Sequence, residues 1–246
     1  MFGNKLLMKC TALIFFVLSV AFACNDNDGY SLGDYRISIA TVVPEVAGSY
    51  SLRLDNGDVL KVATSDIYYR PRVNQRVFVN YTLLSDKTED NYRFIKVNDI
   101  LNVLTKPVIE LTEQNADSIG NDPIKVYDFW IGDNYLNVSF AFNYGGVKPH
   151  AINMVLNKTV DIEDGNTLEF EFRHNSYESP FNELFDGFAS FDLRPFKEED
   201  RDSVPITIKY KNWDGDKSYE LMYKYNSLNR NATNMKAPNI STYEYN

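Results

Sequence analysis

Residues 50–64 read YSLRLDNGDVLKVAT. Leu52 and Leu54 alternate with Ser51 and Arg53, Asn56 and Gly57 come next, and Val59, Leu60 and Val62 resume the apolar run. A period of two puts successive side chains on opposite faces of a strand, and Asn-Gly supplies the backbone conformations a tight turn needs. The stretch is predicted to be a β-hairpin. The chain on either side repeats its pattern.

Upstream, YRISIATVV (35–43) places Tyr35, Ile37 and Ile39 on one face. Downstream, QRVFVNYTLL (75–84) alternates Val77, Val79, Tyr81 and Leu83 against Phe78, Asn80 and Thr82, and YRFIKVNDILNVLT (92–105) closes the group. Five short strands in roughly 70 residues fit a small five-stranded OB-type barrel, with a simple sandwich as the alternative. The barrel is placed at residues 35–106.

Residues 107–122 form the expected boundary: Pro107 and Pro123 bracket them, and Gly120 and Asn121 make their second half turn-prone. Within them, VIELT (108–112) can also serve as the first strand of a second block. That block runs to residue 226 and alternates in the same way. Leu136, Val138, Phe140 and Phe142 share one face of a strand, Leu168, Phe170 and Phe172 share another, and Ala189, Phe191 and Leu193 a third. A second hairpin is read around Asp214 and Gly215, between Ile206, Ile208, Tyr210 and Tyr219, Leu221, Tyr223. With IKVYDFWIG (124–132) and HAINMVLN (150–157), six or seven strands suit an Ig-like β-sandwich. The fold class is therefore all-β: an OB-type barrel, then a sandwich, then a polar tail at residues 227–246.

Composition agrees. Of 246 residues, 44% are hydrophobic and 14% aromatic, enough for substantial cores and weighted toward strand formers. A formal charge of −9 excludes a nucleic-acid binder, which needs basic surface against phosphate.

The N-terminus speaks to location. Lys5 and Lys9 precede an uncharged run from Thr11 to Ala23, too short to span a bilayer but suited to a secretory signal. Ala21 and Ala23 then precede Cys24, which resembles a bacterial lipobox with Ala where Leu is commoner. Cys10 lies inside the signal, so Cys24 would be the sole cysteine of the mature chain, and acylation would remove an exposed thiol. Residues 1–23 are read as a lipoprotein signal peptide and 24–34 as a flexible acidic tether. The run CNDNDG (24–29) resembles the acidic export signal of surface lipoproteins in the Bacteroidetes, which places the protein at the outer membrane, on the cell surface; the alternative is its periplasmic face.

The wording of the mature chain carries a wider resemblance. CNDNDGYSLGDY, NQRVFVNYTLL, VLTKPVIELT, SIGNDPIKVYDFWIGDNYLNVSFAF and GFASFDLRPF are similar to the NigD-like lipoproteins of Bacteroides and Prevotella. The resemblance spans nearly all of the mature chain and implies an N-terminal OB domain followed by a C-terminal β-sandwich. It implies association with a bacteriocin locus but brings no catalytic residues.

No catalytic motif appears in the chain itself. The two histidines, His150 and His174, lie outside any HExxH pattern, there is no GxSxG, and both histidines are expected at the surface. No cofactor or metal site is read, because two distant histidines do not supply four zinc donors and the Asp214–Glu220 run lacks the positions of a calcium loop. The run KEEDRD (197–202) is expected to be a solvated loop. DSI and DSV resemble an O-glycosylation acceptor and make Ser118 and Ser203 candidate sites. The candidate ligand-binding patch is IYYRPR (67–72), where Tyr68, Tyr69, Arg70 and Arg72 set aromatic rings beside planar donors; a plug closing the barrel is the plainer reading. Trp130 is open between core and rim.

The expected function is that of a non-catalytic, lipid-anchored envelope protein acting in binding or envelope assembly, with the membrane as one partner and a glycan or protein as another. A carboxylate-dependent polysaccharide hydrolase and a bacteriocin-associated accessory protein are the alternatives.

Overall fold

The computed structural model describes residues 33–146, 148–156 and 167–225. The first five strands are β1 (Tyr35–Pro44), β2 (Tyr50–Leu54), β3 (Val59–Ser65), β4 (Arg76–Leu83) and β5 (Tyr92–Asn102). They close into a barrel in the order β1-β2-β3-β5-β4. Closure depends on β1, whose Tyr35–Thr41 half pairs with β4 while Ala40–Pro44 pairs with β2, and on the parallel pairing of β3 with β5. Ala40, Val42, Leu52, Leu54, Leu60, Val77, Val79, Ile95 and Val97 fill the interior. This is the expected OB-type barrel.

The turn at Asn56-Gly57 departs from the two-residue form. Only Gly57 takes a positive φ, and Asn56 instead accepts the Asp58 N–H on its side-chain oxygen, giving a longer loop between Leu54 and Val59.

The sandwich begins before the expected boundary. Leu104–Pro107 forms β6 and Ile109–Glu110 forms β7. The remaining strands are β8 (Lys125–Gly132), β9 (Tyr135–Tyr144), β10 (Ala151–Leu156), β11 (Leu168–Asn175), β12 (Glu183–Asp192), β13 (Ser203–Asn212) and β14 (Gly215–Lys224). One sheet runs β14-β13-β11-β10-β7 and the other β6-β12-β9-β8. Residues 104–106, assigned to the barrel from sequence, therefore belong to the sandwich, and the expected boundary segment supplies β7 and a four-residue helix α1 (Ala116–Ile119). The reason is pairing: β6 lies parallel to β12 and β7 parallel to β10, so each edge gains a partner. The alternation holds inside the sandwich, where Leu136, Val138, Phe140, Phe142, Phe170, Phe172, Ala189, Phe191 and Leu193 all lie in one core. Gly187 is fixed by that packing, since a Cβ there would stand 2.3 Å from the Phe140 ring.

Barrel and sandwich share a buried seam. Ile39, Phe78 and Val103 from the barrel side meet Phe188 and half-buried Trp130 from the sandwich. Phe78 packs edge-on to Phe188 at 4.8 Å, and Trp130 to Phe188 at 5.0 Å. Beside this apolar cluster lies a polar one. The β8–β9 turn, with Asp133 and Asn134 both at positive φ, points its tip at the barrel. The Asp133 carboxylate accepts from Arg53 Nε at 2.9 Å and from the Thr41 hydroxyl. Arg76, wholly buried, lies 2.7 Å from Asp55 and donates to Thr41 Oγ1 at 3.0 Å.

Candidate binding site at the barrel–sandwich junction

The patch expected at residues 67–72 lies in the loop joining β3 to β4. Asp66 N–H donates to Val97 O and Asn74 N–H to Val42 O, which pins both ends of the loop to the barrel, and Asn74 takes φ 61° to re-enter β4. The loop parts its two tyrosines. Tyr68 is 94% exposed, whereas Tyr69 packs on Tyr50 at 5.4 Å and donates its hydroxyl to Asn102 Oδ1 at 2.8 Å. Burial pushes the Tyr69 phenol up to about 12. Tyr69 is thus the barrel plug, and Tyr68, Arg70 and Arg72 face outward.

Arg72 is the member of the patch that reaches a concave surface. With Val73, Asn74 and Gln75 it faces Thr105, Lys106 and Pro107 of the first sandwich strand and Tyr135, Asp192 and Arg194 beyond, around a cleft of 280 Å³. The far wall is rigid. Arg194 holds Asp192 through Nη2 to Oδ2 at 2.6 Å and Nε to Oδ1 at 2.8 Å, and its Nη2 donates to the Tyr135 hydroxyl at 3.1 Å. That hydroxyl donates in turn to Asn74 O at 2.9 Å, which ties the sandwich wall to the barrel loop. The floor is equally fixed: Gln75 Nε2 donates to Val103 O and Arg76 O, both at 2.7 Å.

Electrostatics sort these groups. Burial opposes ionisation of Asp192, but hydrogen bonds and charge from Arg194 outweigh it and hold the carboxyl below its ordinary range. Burial raises the Tyr135 phenol. Burial also lowers Lys106, whose ammonium is turned onto Ile152 O and Asn153 Oδ1. Arg72 alone of the three cations is exposed and makes no ion pair among the described residues. The cleft can therefore present a free guanidinium beside a fixed Tyr–Arg–Asp wall. It has no paired acid and base: its one carboxylate among the described lining residues is locked in an ion pair.

The other sequence candidates lie elsewhere. Cys24 is outside the described residues. Ser118 is exposed on α1, its hydroxyl donating to Asn115 O, while Ser203 is half-buried as the first residue of β13, opposite Lys224. The histidines overturn the surface expectation. His150 and His174 are both buried, with His150 Nδ1 and His174 Nε2 2.9 Å apart. His174 comes after Phe170 and Phe172 by the same two-residue step and so falls on the core face. No group of three or more metal-ligating side chains occurs among the described residues.

Comparison with known proteins fixes the lineage. Residues 39–103 match the NigD-like N-terminal OB domain and residues 107–223 the NigD-like C-terminal β-sandwich domain. The chain belongs to the NigD-like family. Among solved structures, this NigD-like chain is similar to a protein described as toxin-related from Parabacteroides distasonis, with a TM-score of 0.70 and 38% identity over 82% of this chain and 100% of the other. It is also similar to a protein of unknown function from Bacteroides vulgatus, at TM-score 0.69 and 28% identity over 83% of this chain and 97% of the other. A NigD-like immunity protein from Bacteroides caccae shares the fold at TM-score 0.63 and 20% identity, covering 80% of this chain and 100% of its own. No curated protein matches significantly.

Proposed function

We propose that the protein is a non-catalytic binding protein of the cell envelope, anchored by lipid on Cys24, displayed from the outer membrane, and engaging a glycan or protein partner at the junction cleft. The anchor reading rests on the N-terminal sequence: a short apolar run, small residues, then a lone cysteine. Two acyl chains hold a protein stably at a membrane without a spanning helix. No helix among the described residues is long and apolar enough to cross a bilayer.

The observation that carries the binding reading is the pairing of an exposed cation with a fixed wall. Arg72 is exposed and unpaired, whereas Tyr135, Arg194 and Asp192 facing it are locked to one another and to the barrel. A preorganised polar wall costs little to order on binding, and an arginine fork adds directional donors. The test is a glycan array and a partner pull-down with the soluble protein starting at Asn25, repeated with Arg72→Ala. Specific capture weakened by that substitution, with unfolding unchanged, supports the cleft; capture insensitive to it would move the site elsewhere.

A further inference from the structure

Two loops at one end of the barrel form a surface that the junction cleft alone does not explain. Val42 N–H donates to Gln75 O at 2.8 Å and Asn74 N–H to Val42 O at 3.2 Å, so the loop at residues 66–75 lies beside the end of β1, from which the loop at residues 45–49 departs. Tyr68, Val46 and Val73 stand on these neighbouring loops and are 94%, 86% and 71% exposed. One exposed apolar side chain is ordinary, but several on adjoining loops mark a contact surface.

Neither loop can turn its apolar tip away. In the shorter one Glu45 N–H donates to Ser49 O at 2.8 Å and the Ser49 hydroxyl to Val46 O at 2.7 Å, with Ala47 held at φ 58°. That left-handed backbone is unfavourable for a residue with a side chain, and the surrounding hydrogen bonds impose it. The longer loop is pinned at Asp66, Tyr69 and Asn74. Fixed loops lose little freedom on binding. Their charge is opposite to that of the chain, whose formal charge is −9. Arg70 and Arg72 are exposed and make no ion pair among the described residues, whereas Asp66, the sole carboxylate of residues 66–75, is held by Lys96 at 2.7 Å. Glu45 is the one unpaired carboxylate on the two loops.

We propose that these loops dock a protein whose surface sets carboxylates around an apolar hollow, with Val46 and Tyr68 entering the hollow and Arg70 and Arg72 meeting the carboxylates. Tyrosine and arginine are the side chains that most often dominate such contacts. The proposal rests on the binding reading above and names the partner as protein, extending its contact from Arg72 at the cleft to Val46 and Tyr68 outside it. A glycan fits less well, because the branched Val46 and Val73 offer a sugar ring no flat face. A second copy would set arginine against arginine across a two-fold axis. A bilayer fits less well too. The net charge opposes anionic headgroups, and the ten residues of β1, roughly 30 Å of strand, separate these loops from Tyr35, where the chain enters the barrel.

The experiment is photo-crosslinking of the full chain in the bacterium that encodes it, with a benzophenone amino acid at Val46 or Tyr68 and, as controls, at exposed Phe94 of β5 or Met222 of β14. The expected result is one and the same protein cross-linked from Val46 and Tyr68 and from neither control. Its yield should fall at least tenfold in Arg70→Glu with Arg72→Glu, at unchanged thermal midpoint, and recover when a carboxylate at the mapped contact on the partner is changed to lysine. No protein above the controls, a yield indifferent to charge reversal, or lipid or a second copy as the cross-linked species would each overturn the proposal. Capture weakened by Arg72→Ala but not by Val46→Glu would overturn this surface and leave the cleft standing. Tyr68 cross-links lost in Val46→Glu and intact in Arg72→Ala would keep this surface and remove the cleft.

Discussion

Asp55 and Arg76 stand 2.7 Å apart at the seam of barrel and sandwich, and neither side chain reaches solvent. Their contact is a close charge approach in which neither carboxylate oxygen gains a well-directed hydrogen bond, and burial pushes the Asp55 carboxyl up against the pull of Arg76. Removing one partner of such a pair leaves a buried charge alone. Asp55→Ala and Arg76→Ala should each lower the unfolding free energy by about 3–5 kcal/mol, while an apolar pair, Asp55→Leu with Arg76→Met, restores most of the loss. Urea unfolding of the four proteins measures this; single substitutions that cost nothing would show that the seam is open to water.

Gly132 sits where the β8–β9 turn presses on that pair. A Cβ at this position would stand 1.9 Å from Asp55 Oδ2, a buried group with nowhere to move. Gly132→Ala is expected to destabilise by roughly 3 kcal/mol and to loosen the seam. Hydrogen exchange should then quicken at β1 and β8 before the barrel interior. Uniform exchange across both would contradict the placement.

Acid should weaken the sandwich through its histidine pair. His174 Nδ1 faces the Pro123 carbonyl and so carries the proton, which leaves His174 Nε2 to accept from His150 Nδ1 and His150 Nε2 bare among Phe142 and Tyr144. Burial, with the neighbouring His174, lowers the His150 pKa from 6.5 to about 4, partly opposed by Asp122. The unfolded chain therefore binds more protons than the fold between those values. Stability is full above pH 6.5, falls as pH drops through that window and levels off below about 4. His150→Phe should flatten the fall in thermal midpoint over the same window; an unchanged slope would exonerate the pair.

The two β domains were legible in the sequence because alternation is a local signal: every inward residue named for β9, β11 and β12 faces a core, with Leu168 only partly buried. The seam was hidden for the same reason. Phe78 and Ile39 lie on outward-facing positions of the barrel, and Asn137 and Ser190 on outward-facing positions of the sandwich, yet all four are buried because each domain covers the other. Period-two reading assigns polar outward residues to solvent and cannot know that a second domain lies on them. A large apolar residue such as Phe78, sharing a face with Arg76 and Asn80, was the available sign of a covered surface. In the candidate site Arg72 was found, whereas Tyr135 and Arg194 were missed. They lie 63 and 122 residues further along the chain, joined to it only by the fold.

The anchor makes its own prediction. Wild-type protein expressed in a lipoprotein-processing host should incorporate labelled fatty acid and fractionate with membranes, and Cys24→Ala should do neither. A Cys24→Ala protein that still labels and sediments would show that Cys24 carries no lipid tether.

The protein is expected to hold its ligand without altering it, and recovery of the bound ligand decides this. The partner or glycan captured through the junction cleft is held with excess protein for a day, then recovered and analysed by mass spectrometry. The expected result is a ligand returned unchanged, with Arg72→Ala reducing the amount captured. A ligand returned cleaved, with cleavage abolished by substituting a single Asp or Glu, would contradict it and make the protein a hydrolase.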